Sequence, residues 1–344
     1  METETTETTE TTEVEISEES IETPVYRVYP QRFFVLFVFS LLAFNQCLMW
    51  LTFSPIARQT EAYYNVTEAT VDLLLNWGPI IFIPVLPLTS ILLNMHNGIR
   101  YCVLILAVTD FLGALARILP SIIVSATNPN FSTIALPFIH VGQILNAACG
   151  PLVMAPVSQI SCLWFAPHER TRATTIAIFA NNFGATVGFL ISSPIVTEPY
   201  EVPHLLYIHF GLAFVACVLA LIYFPAQPPT APSAAAELLI TNPTSKTHNH
   251  NWRNFLRDVW TCLTNPAFAL LSTAGGLIYG MFGAWTSLYD VLLEPEHYTE
   301  GQTGNSKYIV KYRLFLTFKC CFRLVWFWFN TCRHFWWSCS KLSC

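Results

Sequence analysis

Along this chain the apolar positions come in blocks of roughly 20 residues, the length of a membrane-crossing helix, separated by short stretches of charge, Pro or turn residues. Seven blocks are read: Phe33–Phe53, Leu73–Leu93, Tyr101–Leu119, Ala135–Ser158, Ala173–Val196, Leu205–Phe224 and Ala267–Tyr289. None shows the alternation of a barrel strand. In lipid the remaining way to bond every backbone N–H and C=O within one segment is a helix, so the pattern predicts helical spans. The first block follows 32 mostly polar residues, is too long for the apolar core of a signal peptide and lacks a small-residue cleavage site, so it reads as a span. No Asp, Glu, Lys or Arg occurs from Ile118 to Pro167, nor from Ala173 to Thr197. Between these runs stands one charged island, His168-Glu169-Arg170-Thr171-Arg172, which the pattern places in the turn between the fourth and fifth spans.

Composition agrees with a membrane chain: 53% hydrophobic, 11% charged and a mean hydropathy of +0.46 lie far from a soluble domain. Arg27, Arg32, Arg100, Arg170, Arg172, Lys246, Arg253 and Arg257 fall on one side of the spans and only Arg58 on the other. The positive-inside bias then predicts a multi-pass protein with a cytoplasmic N-terminus. Asn65 and Asn130, in the sequons Asn65-Val66-Thr67 and Asn130-Phe131-Ser132, land on the opposite side as glycosylation candidates. Arg170 and Arg172 anchor the cytoplasmic turn, with Glu169 placed to pair with a neighbouring Arg.

The expected organisation runs from a disordered acidic tail (1–30), with nine Glu in its first 22 residues, through a six-helix unit (31–224) to a cytoplasmic linker (225–264) rich in Pro, Ala, Ser, Thr and Asn. A seventh span (265–304) and an atypical tail (305–344) follow. That tail holds seven of the 17 basic residues, four of the ten Trp and five of the 11 Cys, with no acid and no C-x-x-C pair. With seven spans it would lie outside, against the charge bias, and two readings stand: a read-through, frame change or gene-model error, or a basic amphipathic tail lying on the membrane.

Chemistry inside the spans is sparse. An amide in hydrocarbon is costly unless bonded, so Asn45, Gln46, Asn76, Gln143, Asn146, Asn181 and Asn182 are expected to face a bundle interior or an aqueous cavity. Small residues recur at helical spacing (Gly142, Asn146, Gly150; Asn181, Gly184, Gly188, Ser192; Gly276, Gly280, Gly283, Ser287), as close helix contact requires. Asp110 lies in mid-span as a proton-coupling candidate, with Arg117 two turns on, either functional or snorkelling to the surface. Trp50 and Trp285 each approach the non-cytoplasmic end of their helix, where an interfacial belt of Trp is common. His140 and His209 stand alone in the sequence, and "HNH" (His248–His250) reads as solvated linker. No convergent set of His, Cys or acids is present in the spans, so no enzyme, metal or cofactor is expected.

The segment "GQILNAACGPLVMAPVSQISCLWFAPHERTRATTIA" (Gly142–Ala177), with "LLAFNQCLMW", "NWGPI", "YFPAQPP" and "GAWTSLYDVLLEP" in order around it, resembles the feline leukaemia virus subgroup C receptor family, solute carrier family 49, of the major facilitator superfamily, and within it the member 4 branch. The resemblance spans roughly Tyr29 to Gly304. It implies an all-α major facilitator fold, here a complete N-terminal six-helix half plus a partial C-terminal half, about seven spans. It also implies transport of a small organic solute by alternating access, with Trp50 and Trp285 lining the cavity. Substrate candidates are then Gln46, Trp50, Asn76, Gln143, Asn146, Asn181, Asn182 and Trp285. The cytoplasmic loop residues Arg100, Glu169, Arg170 and Arg172 would gate. The superfamily's G-x-x-x-D-R-x-G-R loop reads "NMHNGIR" (Asn94–Arg100) here, keeping only Gly98 and Arg100, a departure from the pattern that carries its ionic latch, at a loop where the branch itself is loose. The expected partners are the solute and the lipid bilayer, not nucleic acid. Placement in the lysosomal or plasma membrane rests on the resemblance alone. A truncated, non-transporting membrane fragment is the alternative, and a seven-helix receptor fits less well because it needs an outside N-terminus.

Overall fold

The structure is a computed structural model that describes residues 26–125, 127–241 and 252–287, with backbone alone for 252–255, 258, 278–279 and 282–287. The acidic tail, the "HNH" segment and the tail at 305–344 lie outside the described residues. The described chain is all-helical: α1 Gln31–Trp50, α2 Ala57–Tyr64, α3 Glu68–Leu93, α4 Gly98–Ile123, α5 Phe131–Met154, α6 Val157–Trp164, α7 Arg170–Ile195, α8 Val202–Ile222, α9 Ala234–Thr241, α10 Trp252–Thr264 and α11 Pro266–Ser287. Six stretches are long and apolar enough to cross a membrane: Gln31–Tyr64, Glu68–Leu93, Gly98–Ile123, Phe131–Met154, Arg170–Ile195 and Pro199–Ile222. They match the first six expected blocks, with ends extended by polar caps that hydropathy alone does not count. Trp285 falls on α11, and its side chain lies outside the described residues.

The first block is not one helix. Pro55 lacks an N–H and disfavours helical backbone in the residue before it, and α1 stops at Trp50, giving way to turns and a 3₁₀ segment, Ser54–Ile56, before α2. The chain turns back at Asn65, whose left-handed φ of 50° ends α2.

The central helix is α1, packed against α7, α8, α5 and α4. Its span is 67% buried, against 22% for α3 and 28% for α7, so α3 and α7 are the spans that the bundle leaves most uncovered. Lipid tails are as apolar as leucine, so helices here associate through close contact. A Cβ on Gly184 of α7 would sit 2.1 Å from the Phe44 carbonyl oxygen of α1, and one on Gly142 of α5 would sit 2.7 Å from both the Gly113 carbonyl oxygen and Arg117 Cγ of α4. Two of the three small-residue stripes are thus helix contacts. No described atom lies within 4 Å of a Cβ built on Gly276 or Gly280 of the third. Where α3 turns into α4, Asn97 takes φ 60° and a Cβ on Gly98 would lie 2.3 Å from the Leu92 carbonyl oxygen. The retained Gly98 is therefore a requirement of the turn.

At the end of the bundle where α1 begins, the stretch expected as linker is partly ordered. Residues 225–241 fold back over the bundle, α9 forms within them, and Ala236 is fully buried. Arg27 N–H donates to the Ala231 carbonyl oxygen (3.2 Å), and the Tyr29 and Thr230 hydroxyls meet at 2.9 Å.

Gly184→Ala is expected to destabilise the bundle by about 1–3 kcal/mol, because the new methyl meets backbone that cannot yield. Gly211, with nothing within 4 Å of its Cβ position, is the control, and Gly211→Ala should be neutral or stabilising. Thermal unfolding of both variants in nanodiscs checks the contrast.

Candidate functional site

Halfway along the spans, polar side chains converge on α1 from three neighbouring helices. Asp110 of α4, 1% exposed, accepts from Asn45 Nδ2 of α1 at 2.5 Å and from Asn146 Nδ2 of α5 at 3.0 Å. Asn146 also donates to the Gln46 carbonyl oxygen (3.2 Å). On the other flank, Asn181 Nδ2 of α7 reaches the Ala43 carbonyl oxygen (2.8 Å) and Gln46 Oε1 (3.2 Å). Four amides and one carboxylate thus tie α4, α5 and α7 to one stretch of α1.

A second cluster lies where α1 breaks. A helix end leaves its last carbonyls without donors and carries partial negative charge. Arg117 answers both needs: its two Nη atoms donate to the Met49 carbonyl oxygen at 3.0 Å each, and also to Thr52 Oγ1 (3.2 Å) and Gln143 Oε1. Gln143 Nε2 in turn donates to the Trp50 carbonyl oxygen (3.0 Å). Thr52 Oγ1 donates to the Met49 carbonyl oxygen (2.8 Å) and lies 3.2 Å from His209 Nδ1. Arg117, 1% exposed, does not snorkel. Nor is His209 alone, and His140 accepts from the Trp77 indole (3.0 Å). Around the two clusters Asn45 Oδ1, Asn146 Oδ1, Arg117 Nε and His209 Nε2 are buried without a hydrogen-bond partner among the described residues.

Trp50 has a specific local job. Pro79 in α3 carries no N–H, so the Leu75 carbonyl four residues earlier loses its helical donor. The Trp50 indole N–H donates to that oxygen at 3.2 Å. Gly78 makes room, since a Cβ there would stand 2.5 Å from Trp50 Nε1. The ring is half-buried against α3, joining α1 to α3.

Other expected residues are placed differently. Asn76 is exposed and Asn182 half-buried, and each donates back into its own helix, to the Asp72 (2.9 Å) and Ile178 (2.9 Å) carbonyl oxygens. Phe44, Phe179 and Phe183 form an aromatic run near Asn182, with ring centroids 6.0 and 5.7 Å apart. In the charged island Glu169 pairs with Arg32 at the start of α1 (2.5 and 3.3 Å) rather than with the Arg beside it. The Arg32 guanidinium also lies over the rings of Phe33 (4.8 Å) and Phe165 (5.6 Å). Arg170 donates to the Phe165 carbonyl oxygen (3.3 Å) and to Ser233 Oγ, while Arg100 and Arg172 are exposed. Asn65 and Asn130 are both exposed at the far end. Sequence reading left Thr52 out altogether and named Asn45 and Arg117 without the partners they find here. The available signal was the Ser-Pro pair that ends α1 and so creates carbonyls in need of donors.

The Major Facilitator Superfamily profile matches residues 33–305. The chain is similar to the solute carrier family 49 member 4 homolog of Xenopus tropicalis, 32% identical over 295 residues that cover 81% of this chain and 60% of that protein. It is similar as well to solute carrier family 49 member A3 of Xenopus tropicalis, 30% identical over 78% of this chain and 53% of that protein. The choline/ethanolamine transporter FLVCR1 of Felis catus is 25% identical over 83% of this chain and 50% of its own length. The chain therefore spans about half to three-fifths of the length of these relatives.

Two sets of variants probe the geometry. Trp50→Phe keeps a ring but removes the donor to Leu75, an expected loss of about 1–3 kcal/mol. Pro79→Ala returns a backbone N–H to that carbonyl, so in the double variant the Trp50→Phe penalty should shrink by about 1 kcal/mol; a four-protein cycle of thermal unfolding reads this coupling. Arg117→Leu should cost about 3 kcal/mol, and Arg117→Lys should recover little of it, because an ammonium cannot span Met49 and Gln143 as the planar fork does. The same unfolding assay measures both.

Proposed function

Since this chain belongs to the Major Facilitator Superfamily, we propose that it takes part in moving a small organic solute across a membrane by alternating access, its solute site lying on an open face of the six-helix bundle beside α3 and α7. The observation that carries this reading is the Asp110–Asn45–Asn146 cluster with Gln46 and Asn181. A carboxylate buried at mid-depth among apolar helices is costly, and such groups characteristically mark solute or ion pathways. Its unpartnered Asn45 and Asn146 oxygens point the same way, because a purely structural network is normally complete.

In this reading Gln46, Gln143, Asn146 and Asn181 hold the site in shape. Trp50, Asn76, Asn182 and Trp285 border the face toward the second half of the carrier. Asp110 is the group whose proton state couples to transport. While ionised it accepts from two amides at once. On protonation one carboxyl oxygen becomes a donor, and an Asn amide must rotate to present its Oδ1, which changes the hold of α4 and α5 on α1. The end bearing Arg32, Glu169, Arg170, Arg172 and Arg100 is placed in the cytoplasm by the charge bias, with the Arg32–Glu169 pair closing α1 against the turn before α7. The solute class best supported is a small amino alcohol, because a relative bears the name choline/ethanolamine transporter and aromatic residues beside the open face suit an organic cation.

The test is uptake of radiolabelled choline and ethanolamine into proteoliposomes containing the full chain. Saturable uptake is expected, with Asp110→Asn losing its pH dependence and Gln46→Ala lowering uptake about tenfold. Uptake no greater than in protein-free vesicles, from protein that is monodisperse and unfolds cooperatively, would overturn the reading.

A further inference from the structure

Between the bundle and α11 lies a helix that the proposed transport role does not use. In α10 the apolar residues Trp252, Phe255, Leu256, Val259, Trp260 and Leu263 recur at helical spacing and occupy an arc of about 140° at 3.6 residues per turn. The remaining arc carries Arg253, Asn254, Arg257, Asp258, Thr261 and Thr264. On the apolar arc Leu256, Val259, Trp260 and Leu263 are exposed, Trp260 by 67%.

Its junction with the next helix fixes its level in the membrane. Pro266 cannot continue α10 and is well suited to the first position of a new helix. Asn265 supplies the break and the cap together. Its N–H bonds the Cys262 carbonyl oxygen (3.2 Å), and its Oδ1 accepts from the Ala267 and Phe268 N–H groups (3.1 and 3.4 Å). One residue therefore joins α10 to α11, a stretch no longer than about 3.6 Å. α11, 22 residues without charge and apolar over Pro266–Leu277, coincides with the seventh span expected from the sequence, and 22 residues at 1.5 Å each match the thickness of the hydrocarbon. The end of α10 must accordingly sit at the membrane surface, where an apolar arc flanked by Arg belongs.

We propose that α10 lies in the plane of the membrane as an interfacial helix, its Trp/Leu/Val arc sunk at the boundary of headgroups and acyl chains and Arg253 and Arg257 binding anionic phospholipid headgroups. Arg253 and Arg257, four residues apart, fall on the flank next to Trp260, from which a long side chain reaches headgroup phosphates while its stem stays in apolar surroundings. Two basic residues near the surface favour anionic over zwitterionic lipid. This inference is independent of the transport reading: a chain that moves no solute would still seat α10 on lipid.

The full chain is reconstituted into nanodiscs of three parts phosphatidylcholine to one of phosphatidylserine, with a photoreactive benzophenone amino acid at Val259, at Leu263 or, as the opposite face, at Thr261. After irradiation, adducts on the peptide are identified by mass spectrometry. Phospholipid adducts are expected at 259 and 263 and not at 261, with the ratio of phosphatidylserine to phosphatidylcholine adducts about fivefold above the bulk ratio. In Arg253→Gln/Arg257→Gln the lipid adducts should persist, which certifies the fold, while the enrichment falls to the bulk ratio. Crosslinks from 259 and 263 into other peptides of the chain, or equal yields on both faces, would overturn the interfacial placement. Phosphatidylserine adducts at the bulk ratio in the unmutated chain would overturn the anionic preference.

Discussion

A backbone carbonyl left without a donor inside hydrocarbon is the constraint around which this bundle is arranged. Helices normally meet it internally, and two of the places where that fails shape the interior: α1 stops at Trp50, and α3 contains Pro79, which strands the Leu75 oxygen. Each defect is answered by a side chain from another helix. Arg117 and Gln143 take the carbonyls at the end of α1, and the Trp50 indole takes that of Leu75. Asn181 and Asn146 add bonds to the Ala43 and Gln46 carbonyls. The polar residues of the interior are thus largely the means by which an interrupted helix is held among continuous ones.

That arrangement decides what can move. Short glycine contacts, such as Gly184 against Phe44, bring α1 close to its neighbours, and the amides and Arg117 then hold its register. The break after Trp50 leaves the upper part of the first span attached by turns rather than by a continuous ladder. Hinges commonly sit at such element ends, where a few residues absorb the backbone change. The helices with most exposed surface are α3 and α7.

Much of this was legible in the sequence, because period and polarity are local properties. Six apolar blocks became six spans, the charged island became a turn at His168 and Glu169 and the start of α7 at Arg170–Arg172, and the buried amides Gln143, Asn146 and Asn181 do face the interior. The partners were not legible. Glu169 finds Arg32, 137 positions away, although two Arg stand within three residues of it. Arg117 gave the pattern of a snorkelling residue, and only the end of α1, brought beside it by the fold, makes it a cap. Asn76 and Asn182 look like Asn146 in sequence, yet each bonds its own helix, since neither faces a neighbour that needs a donor. Linker composition in residues 225–264 hid α9, whose burial depends on the surface formed by α6.

At the opposite end of the bundle, Asn130 opens α5, and the rest of its sequon is already committed. Phe131 stacks on Tyr64 at 5.9 Å and meets Tyr63 edge-on, and the Ser132 hydroxyl donates to the Tyr64 carbonyl oxygen. Glycan transfer reads the hydroxyl of the third sequon residue. In the finished fold that hydroxyl is occupied. The contact between the end of α2 and the start of α5 therefore engages the Asn130 sequon, whereas Asn65 is exposed at its left-handed turn and its sequon threonine, Thr67, meets Thr70 of α3 at 3.1 Å instead. The third residue of that sequon thus serves as a clasp between two helices, a structural use of the same hydroxyl.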